Sequence, residues 1–347
     1  MRGNVNHEPG SRLGTLVSLA AAGILILAVA GCAAPSLTPT PSPVPPTPAP
    51  TPIVAATPSP SPEITAPPLT PSPVATYPIV NSCDPASVPG SVAVTTPATP
   101  VEGFFRLRVP ILMYHRIVPR AEAGNSIADL VVPPDTFDAQ LTALAAAGWH
   151  TITLGTLARD LAAHITPPAK TFVITFDDGW DDGYNYAFPI LEGHGFVATY
   201  FVIAGRIDTP GFLSSAQLRA LVAAGDEIGD HTMNHVNLAK STASTVRFEV
   251  NAAAARIAQV TGYWPQSLAY PSGTANSGAT AGVAACGQMR IAVIEGALEA
   301  TTTSPQGSPT TELRQGYETW AVRFTVPRIR VSPTTTPATL LKLVVYQ

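Results

Sequence analysis

Charge is scarce in this chain. Asp, Glu, Lys and Arg make up 12% of its 347 residues, and the net charge is -4. No dense Lys/Arg run follows the extreme N-terminus, which excludes the electrostatic footprint of a nucleic-acid binder. Cysteine is scarcer still, with only Cys32, Cys83 and Cys286. No Cys-x-x-Cys pair exists among them, so a thiolate zinc site is not indicated. Histidine ends at His235, so any imidazole chemistry must draw on earlier positions.

Proline is abundant instead, and most of it lies in one region. Before that region, Arg2 and Arg12 precede an apolar run from Leu13 to Ala30 that ends in Val29-Ala30-Gly31-Cys32. A charged start, an apolar stretch and small residues at its end read as a secretory signal over residues 1–31. The last four residues resemble a bacterial lipobox, whose Cys is lipidated and becomes the new N-terminus. The competing readings are an uncleaved membrane anchor and an ordinary signal cut nearby. The expected location is outside the cytoplasm, with the membrane as partner through a lipid on Cys32. Each buried methylene of such a lipid contributes about 0.8 kcal/mol of membrane affinity.

Residues 32–103 are mostly Pro, Thr, Ser, Ala and Val. Proline removes backbone donors and favours extended polyproline II, and few large apolar residues remain to build a core. A disordered, stiffly extended linker is expected there, followed by one catalytic domain over 104–347. With Cys32 lipidated, Cys83 and Cys286 remain, either as a disulfide permitted by an oxidising compartment or as two thiols.

After Phe104 the pattern alternates. Apolar or β-branched runs at Val109–Tyr114, Thr151–Leu154, Thr171–Phe176, Val197–Ile203 and Ile291–Ile294 read as strands, and Glu227–Asp230, Ser267–Tyr270 and Val326–Val331 read as further strands. Helical spacing marks Thr136–Gly148, Tyr184–Gly193, Ser214–Ala224 and Ser241–Thr261, the first with Asp135 or Thr136 as N-cap. The Thr301–Tyr317 stretch reads as a surface loop. Strands alternating with helices imply a parallel sheet, and their count and length predict an α/β fold closed into a barrel. In such a barrel the strand C-termini share one face, where active sites form. Asp177, His231 and Pro271 each follow a predicted strand.

Those strand ends carry the chemistry. Thr175-Phe176-Asp177-Asp178-Gly179 and His231-Thr232-Met233-Asn234-His235 together supply two imidazoles and two carboxylates. Two His and one carboxylate make a three-ligand metal site with a position open for water. A spare carboxylate beside it can accept the water's proton. Alone, each motif has a bland reading, since aspartates start turns and surface histidines pair by chance. Asp181 and Asp182 are expected to cap the following helix. Trp180 and Tyr184 are expected either to stack on a sugar ring or to pack in the core. Asp230 is expected either to orient a ligand or to serve a turn.

The two motifs, with Ala269-Tyr270-Pro271-Ser272-Gly273 as a degenerate third, resemble the polysaccharide deacetylase family (NodB homology, carbohydrate esterase family four). The resemblance covers roughly Val109–Val331. It implies a distorted (β/α) barrel that removes acetyl groups from an acetylated glycan with a divalent metal, usually zinc. Carried over, Asp178, His231 and His235 bind the metal, Asp177 is the general base, and the Ser272 backbone N–H stabilises the oxyanion. Ala269 stands where many members have an Arg that orients the base, and Arg328 or Arg330 is the expected substitute. The late Leu-x-His acid is absent. His115 follows the first strand, as in the poly-N-acetylglucosamine deacetylase branch, and is the expected general acid. The leading function is N-deacetylation of an N-acetylglucosamine polymer. The alternatives are an O-acetyl polysaccharide esterase and a glycan-binding module whose site has decayed.

Overall fold

The computed structural model describes residues 78–93, 105, 107–296 and 322–345. The expected signal segment, Cys32, most of the expected linker and the expected loop at Thr301–Tyr317 lie outside the described residues. Several strands are apolar on both faces, as suits parallel strands covered by helices. β5 (Thr171–Phe176) is buried at every position.

In chain order the strands are β1 (Ile111–Tyr114), β2 (Arg116–Ile117), β3 (Val131–Val132), β4 (His150–Thr151), β5, β6 (Thr199–Val202), β7 (Glu227–Asp230), β8 (Ser267–Ala269), β9 (Ile291–Glu295) and β10 (Val326–Arg330). The main sheet runs β1-β10-β9-β8-β7-β6-β5-β4, all parallel. β1 also pairs with β5, from Ile111↔Val173 to Tyr114↔Phe176, which closes a ring of seven strands and leaves β4 outside it. This is the expected distorted (β/α) barrel. β2 and β3 form a separate short pair at Arg116↔Val131 and Ile117↔Val132.

The helices are α1 (Pro134–Ala146), α2 (Leu154–Ala163), α3 (Phe188–His194), α4 (Ser215–Ala224), α5 (Ala243–Thr261), α6 (Ser277–Ala285) and α7 (Pro337–Val345). α1 begins two residues before the expected Thr136, because Pro134 sits in its first turn, where a missing N–H costs nothing. α4 opens with a capping box: Ser214 accepts from the Gln217 N–H and the Gln217 side chain accepts from the Ser214 N–H. α2 begins at Leu154, which the sequence assigns to a strand. Its Leu154, Leu157 and Leu161 pack with Val173, Phe201, Ile291 and Val293 of the barrel strands. Side chains on alternate residues take the other face: Leu112, Tyr114, Ile174, Phe176 and Tyr200 meet α1, α3 and α4. Period-two alternation therefore puts Thr175 and Asp177 on the same face as Val173.

The expected linker does not run unbroken to residue 103. Cys83 and Cys286 form a disulfide across 203 residues of sequence, with Cα atoms 5.3 Å apart. Val88 enters the core beside Trp264 and Val283, and Val92 bridges Tyr263. The Trp264 indole N–H donates to Ser91 Oγ at 2.7 Å. A few apolar residues and one cross-link thus hold this part of the Pro-rich segment on the barrel. Among the described residues no helix is long and apolar enough to cross a membrane.

Candidate active site

Asp177 and Asp178 follow β5 without a break, and the turn needs unusual backbone. Asp178 has φ +74° and Gly179 φ +73°. A Cβ on Gly179 would lie 3.0–3.1 Å from Val202, so glycine lets the turn pass close to β6. The second motif turns in the same way, with Thr232 at φ +65° and His235 at φ +58°. Asp230 Oδ1 accepts from the Thr232 N–H at 2.6 Å, and Thr232 Oγ1 accepts from the His235 N–H at 2.9 Å. Asp230 thus serves the turn, and its Oδ2 has no hydrogen-bond partner among the described residues.

These turns bring Asp178, His231 and His235 together. Asp178 Oδ1 lies 3.5 Å from His231 Nε2 and 3.4 Å from His235 Nε2. One ligand atom from each residue lies within 4.8 Å of the other two, and no other such group occurs among the described residues. His231 Nδ1 is 2.8 Å from the Ala269 carbonyl oxygen. A carbonyl only accepts, so Nδ1 carries a proton; Nε2 then meets Asp178 with a second proton when the ring is charged and with its lone pair in the neutral tautomer. That tautomer fits a metal ligand. Asp178 is held well below the usual carboxylate range: burial alone would raise it, but the His231 hydrogen bond and charge outweigh burial. His231 is correspondingly raised, the Asp178 contact overcoming burial.

Asp177 stands apart from this cluster. Arg328 donates from Nη1 to Asp177 Oδ1 at 2.6 Å and from Nη2 to Oδ2 at 2.7 Å. Nη1 also donates to Thr175 Oγ1 at 3.0 Å. Arg328 is 1% exposed and Asp177 4% exposed, so both charges are out of water and each depends on the other. Burial pushes the Asp177 pKa up, and the guanidinium more than reverses it, leaving an ionised carboxylate. Of the two expected substitutes for the family Arg, the geometry selects Arg328. Arg330 pairs with Glu295 at 2.9 Å instead.

A cavity of about 240 Å³ opens above these residues, and His115, Ser272, Ile127 and Leu130 share its lining. The His115 ring makes no hydrogen bond among the described residues, and burial lowers its pKa below the ordinary imidazole value against the pull of Asp177 and Asp178. Ser272 sits at φ +64° in the turn after β8, followed by Gly273 at φ +67°. A Cβ on Gly273 would clash with Glu295 Cβ, so this turn packs directly on the end of β9. A second cavity of about 250 Å³ includes Asp226 and Glu227 at the start of β7, the opposite end of the strand. Glu227 there already accepts from Gly155 N–H, Thr199 Oγ1 and Ser267 Oγ, and no metal-type cluster lies beside it.

Several expected roles change. Asp182 makes no capping bond; its carboxylate accepts from Arg116 Nε at 2.6 Å and from the Ile117 N–H at 3.1 Å. Tyr184 is buried and stacks on Phe188, which makes it core. Trp180 stacks on Phe212, and its ring lies 4.5 Å from the Arg116 guanidinium carbon. Its indole N–H donates to Asp178 Oδ2 at 3.1 Å. Glu249 of α5 carried no recognisable signal. It accepts from the Asn234 N–H at 2.7 Å and from Asn234 Nδ2 at 2.9 Å, and so grips the histidine loop.

Comparison with known proteins agrees with this geometry. Residues 164–291 match the polysaccharide deacetylase family. Bacillus subtilis YxkH, a polysaccharide deacetylase in name, is 35% identical over 131 residues, which are 38% of this chain and 44% of that protein. The peptidoglycan-N-acetylglucosamine deacetylase of Bacillus cereus is 35% identical over 74 residues, 21% of this chain and 33% of that one. The chain thus spans less than half the length of each. The structure of Streptococcus pyogenes deacetylase PplD in complex with acetate superposes with a TM-score of 0.59 at 26% identity, covering 69% of this chain and 99% of that one. Residues 164–291 are thus similar in sequence to the polysaccharide deacetylase family, and the closed barrel is similar to that of the Streptococcus pyogenes deacetylase.

Proposed function

We propose that this chain is a metal-dependent hydrolase that removes N-acetyl groups from an N-acetylglucosamine-containing polysaccharide and releases acetate. The observation that carries this reading is the separation of two adjacent carboxylates: Asp178 faces two imidazoles while Arg328 holds Asp177 away from them. Relatives named as polysaccharide and peptidoglycan deacetylases support the substrate class.

The donor set, one carboxylate oxygen and two imidazole nitrogens, suits zinc. A zinc ion held there would lower the pKa of a water to about 7 and polarise the acetyl carbonyl. Asp177, ionised and fixed in orientation, accepts the proton of the attacking water. The Ser272 backbone N–H, in the turn beside the cavity, donates to the developing oxyanion, a contact worth about 3 kcal/mol. His115 protonates the departing amine. Its lowered pKa favours the neutral ring, and this supports a second reading, hydrolysis of O-acetyl esters, whose leaving group needs a proton less. The ion pair and histidine geometry are intact, which weighs against a decayed glycan-binding module.

The reading extends to location: a lipoprotein held outside the cytoplasm through Cys32. The Gly31-Cys32 junction at the end of the apolar run supports it, and a disulfide suits an oxidising compartment. Labelled fatty acid should enter the wild-type protein and not the Cys32→Ser variant; equal labelling would refute it. The activity is tested by acetate release from poly-N-acetylglucosamine, chitin oligomers, peptidoglycan and acetylated xylan, with and without chelator. Release from the first three, abolished by chelation and restored by zinc, is expected. Release only from xylan selects the esterase reading, and release unaffected by chelation removes the metal reading.

A further inference from the structure

We propose that Trp180 is a positioning residue that fixes Asp178 for metal binding, and that Arg116 and Phe212 hold its indole for that task. The inference rests on the metal reading above. Asp178 has two carboxylate oxygens, and they have different partners. Oδ1 faces His231 and His235, while Oδ2 accepts the Trp180 indole N–H. An indole nitrogen can only donate, so this bond settles which oxygen remains toward the imidazoles. Without it the carboxylate would be free to rotate about its last bond and exchange its two oxygens.

The indole is itself constrained from several directions. Its ring stacks on Phe212 with centroids 4.6 Å apart and planes inclined by 20°. The backbones of Trp180 and Phe212 form an antiparallel bridge, and the neighbouring bonds Asp181 N–H to Gly211 O and Leu213 N–H to Gly179 O tie the two segments together. The Arg116 guanidinium lies over the ring, an arrangement that the ring quadrupole favours. Arg116 is anchored by buried Asp182 through Nε, and by Ser126 Oγ and the Ala123 carbonyl through Nη1. The segment holding Ala123 and Ser126 continues to Ile127 and Leu130 in the cavity wall. A continuous chain of contacts thus joins the cavity wall to a metal ligand. It also removes Trp180 as a platform for sugar stacking, since Phe212 and Arg116 already cover its ring.

The test compares the metal-free wild type with Trp180→Phe, which keeps an aromatic ring against Phe212 and loses the N–H together with part of the indole. Zinc affinity is measured by calorimetry, with melting temperature as a control for folding. The variant is expected to bind zinc at least about tenfold more weakly, as for other groups that orient metal ligands. A second measurement needs only the wild type: in the ¹⁵N spectrum, one indole N–H resonance should shift on zinc addition. An affinity within twofold of the wild type in a folded variant, or indole resonances unmoved by saturating zinc, overturns the inference and leaves the metal reading standing. A wild type that binds no zinc removes both.

Discussion

At the scale of single residues, the buried pair Asp177–Arg328 is the feature with the most at stake. Two charges withdrawn from water are stable only as a pair, and breaking such a pair costs about 3–5 kcal/mol. Arg328→Gln is therefore expected to lower stability by that order in denaturant unfolding. It should also raise the Asp177 pKa, because burial is then opposed by less, and move the acidic limb of the pH–rate profile upward. Arg328→Lys keeps the charge but not the two-pronged contact, and should fall between the two. Wild-type stability with an unmoved acidic limb in Arg328→Gln would show that the pair does not set the base. His115 gives a separate expectation. An acid must carry its proton, and burial lowers this imidazole, so turnover on an amide substrate should fall as pH rises through its pKa. His115→Gln should lose about 10²–10⁴-fold in turnover with zinc affinity retained. Near-normal acetate release with bound zinc would assign the acid elsewhere.

At the scale of elements, the seven strands of the ring were legible, while the short β2 and β3 and several helices were not. β5 and β6 stand where apolar and β-branched runs predict them, because a strand covered on both faces has little freedom in composition. α2 was hidden: Thr151-Ile152-Thr153-Leu154 is a good strand run, yet Thr153 caps a helix by accepting from the Thr156 N–H. α6 is rich in Ala and Gly, with no polar face to give it a period, so nothing in its sequence announced it. The site divides in the same way. Asp178, His231 and His235 were legible because turn-forming pairs beside strand ends are compact signals. Arg328, Trp180 and Glu249 were resolved only by the fold, since each acts on a residue far away in sequence or through an atom that pattern cannot aim. Glu249 shows what an element can contribute at a distance. Its carboxylate satisfies the Asn234 N–H between the two histidines, and its carbonyl accepts the Met233 N–H. Glu249→Ala leaves a partly buried donor unmet, at about 1–3 kcal/mol, and frees the loop. Weaker zinc binding should accompany the loss of stability. A variant destabilised but unchanged in zinc affinity would limit α5 to a structural role.

At the scale of the whole molecule, the barrel separates its two ends by chemistry. The C-terminal ends of the strands carry the positive-φ turns and the charged residues of the candidate site, while the N-terminal end of β7 holds buried carboxylates outside it. Asp226 is the clearest of these. It lies just before β7, is 7% exposed, and accepts the Ala198 N–H at 2.7 Å. Burial first, and the charge of Glu192 second, raise its pKa from 3.8 to about 7, against the opposing effect of that hydrogen bond. The consequence for stability has a definite sign. Between those two values the folded chain holds a proton that the unfolded chain has lost, so stability falls as pH rises across that window. Asp226→Asn keeps an oxygen to accept from Ala198 and removes the ionisation. The variant should match the wild type near pH 4 and become progressively more stable than it toward pH 8, by a few kcal/mol at most. Denaturant unfolding of both proteins across that range measures the difference, and taking the difference cancels other buried acids whose pKa is also raised, such as Asp182 and Glu227. A gap that stays constant with pH would mean that Asp226 is ionised in the folded protein throughout, its charge satisfied by the fold rather than suppressed by it.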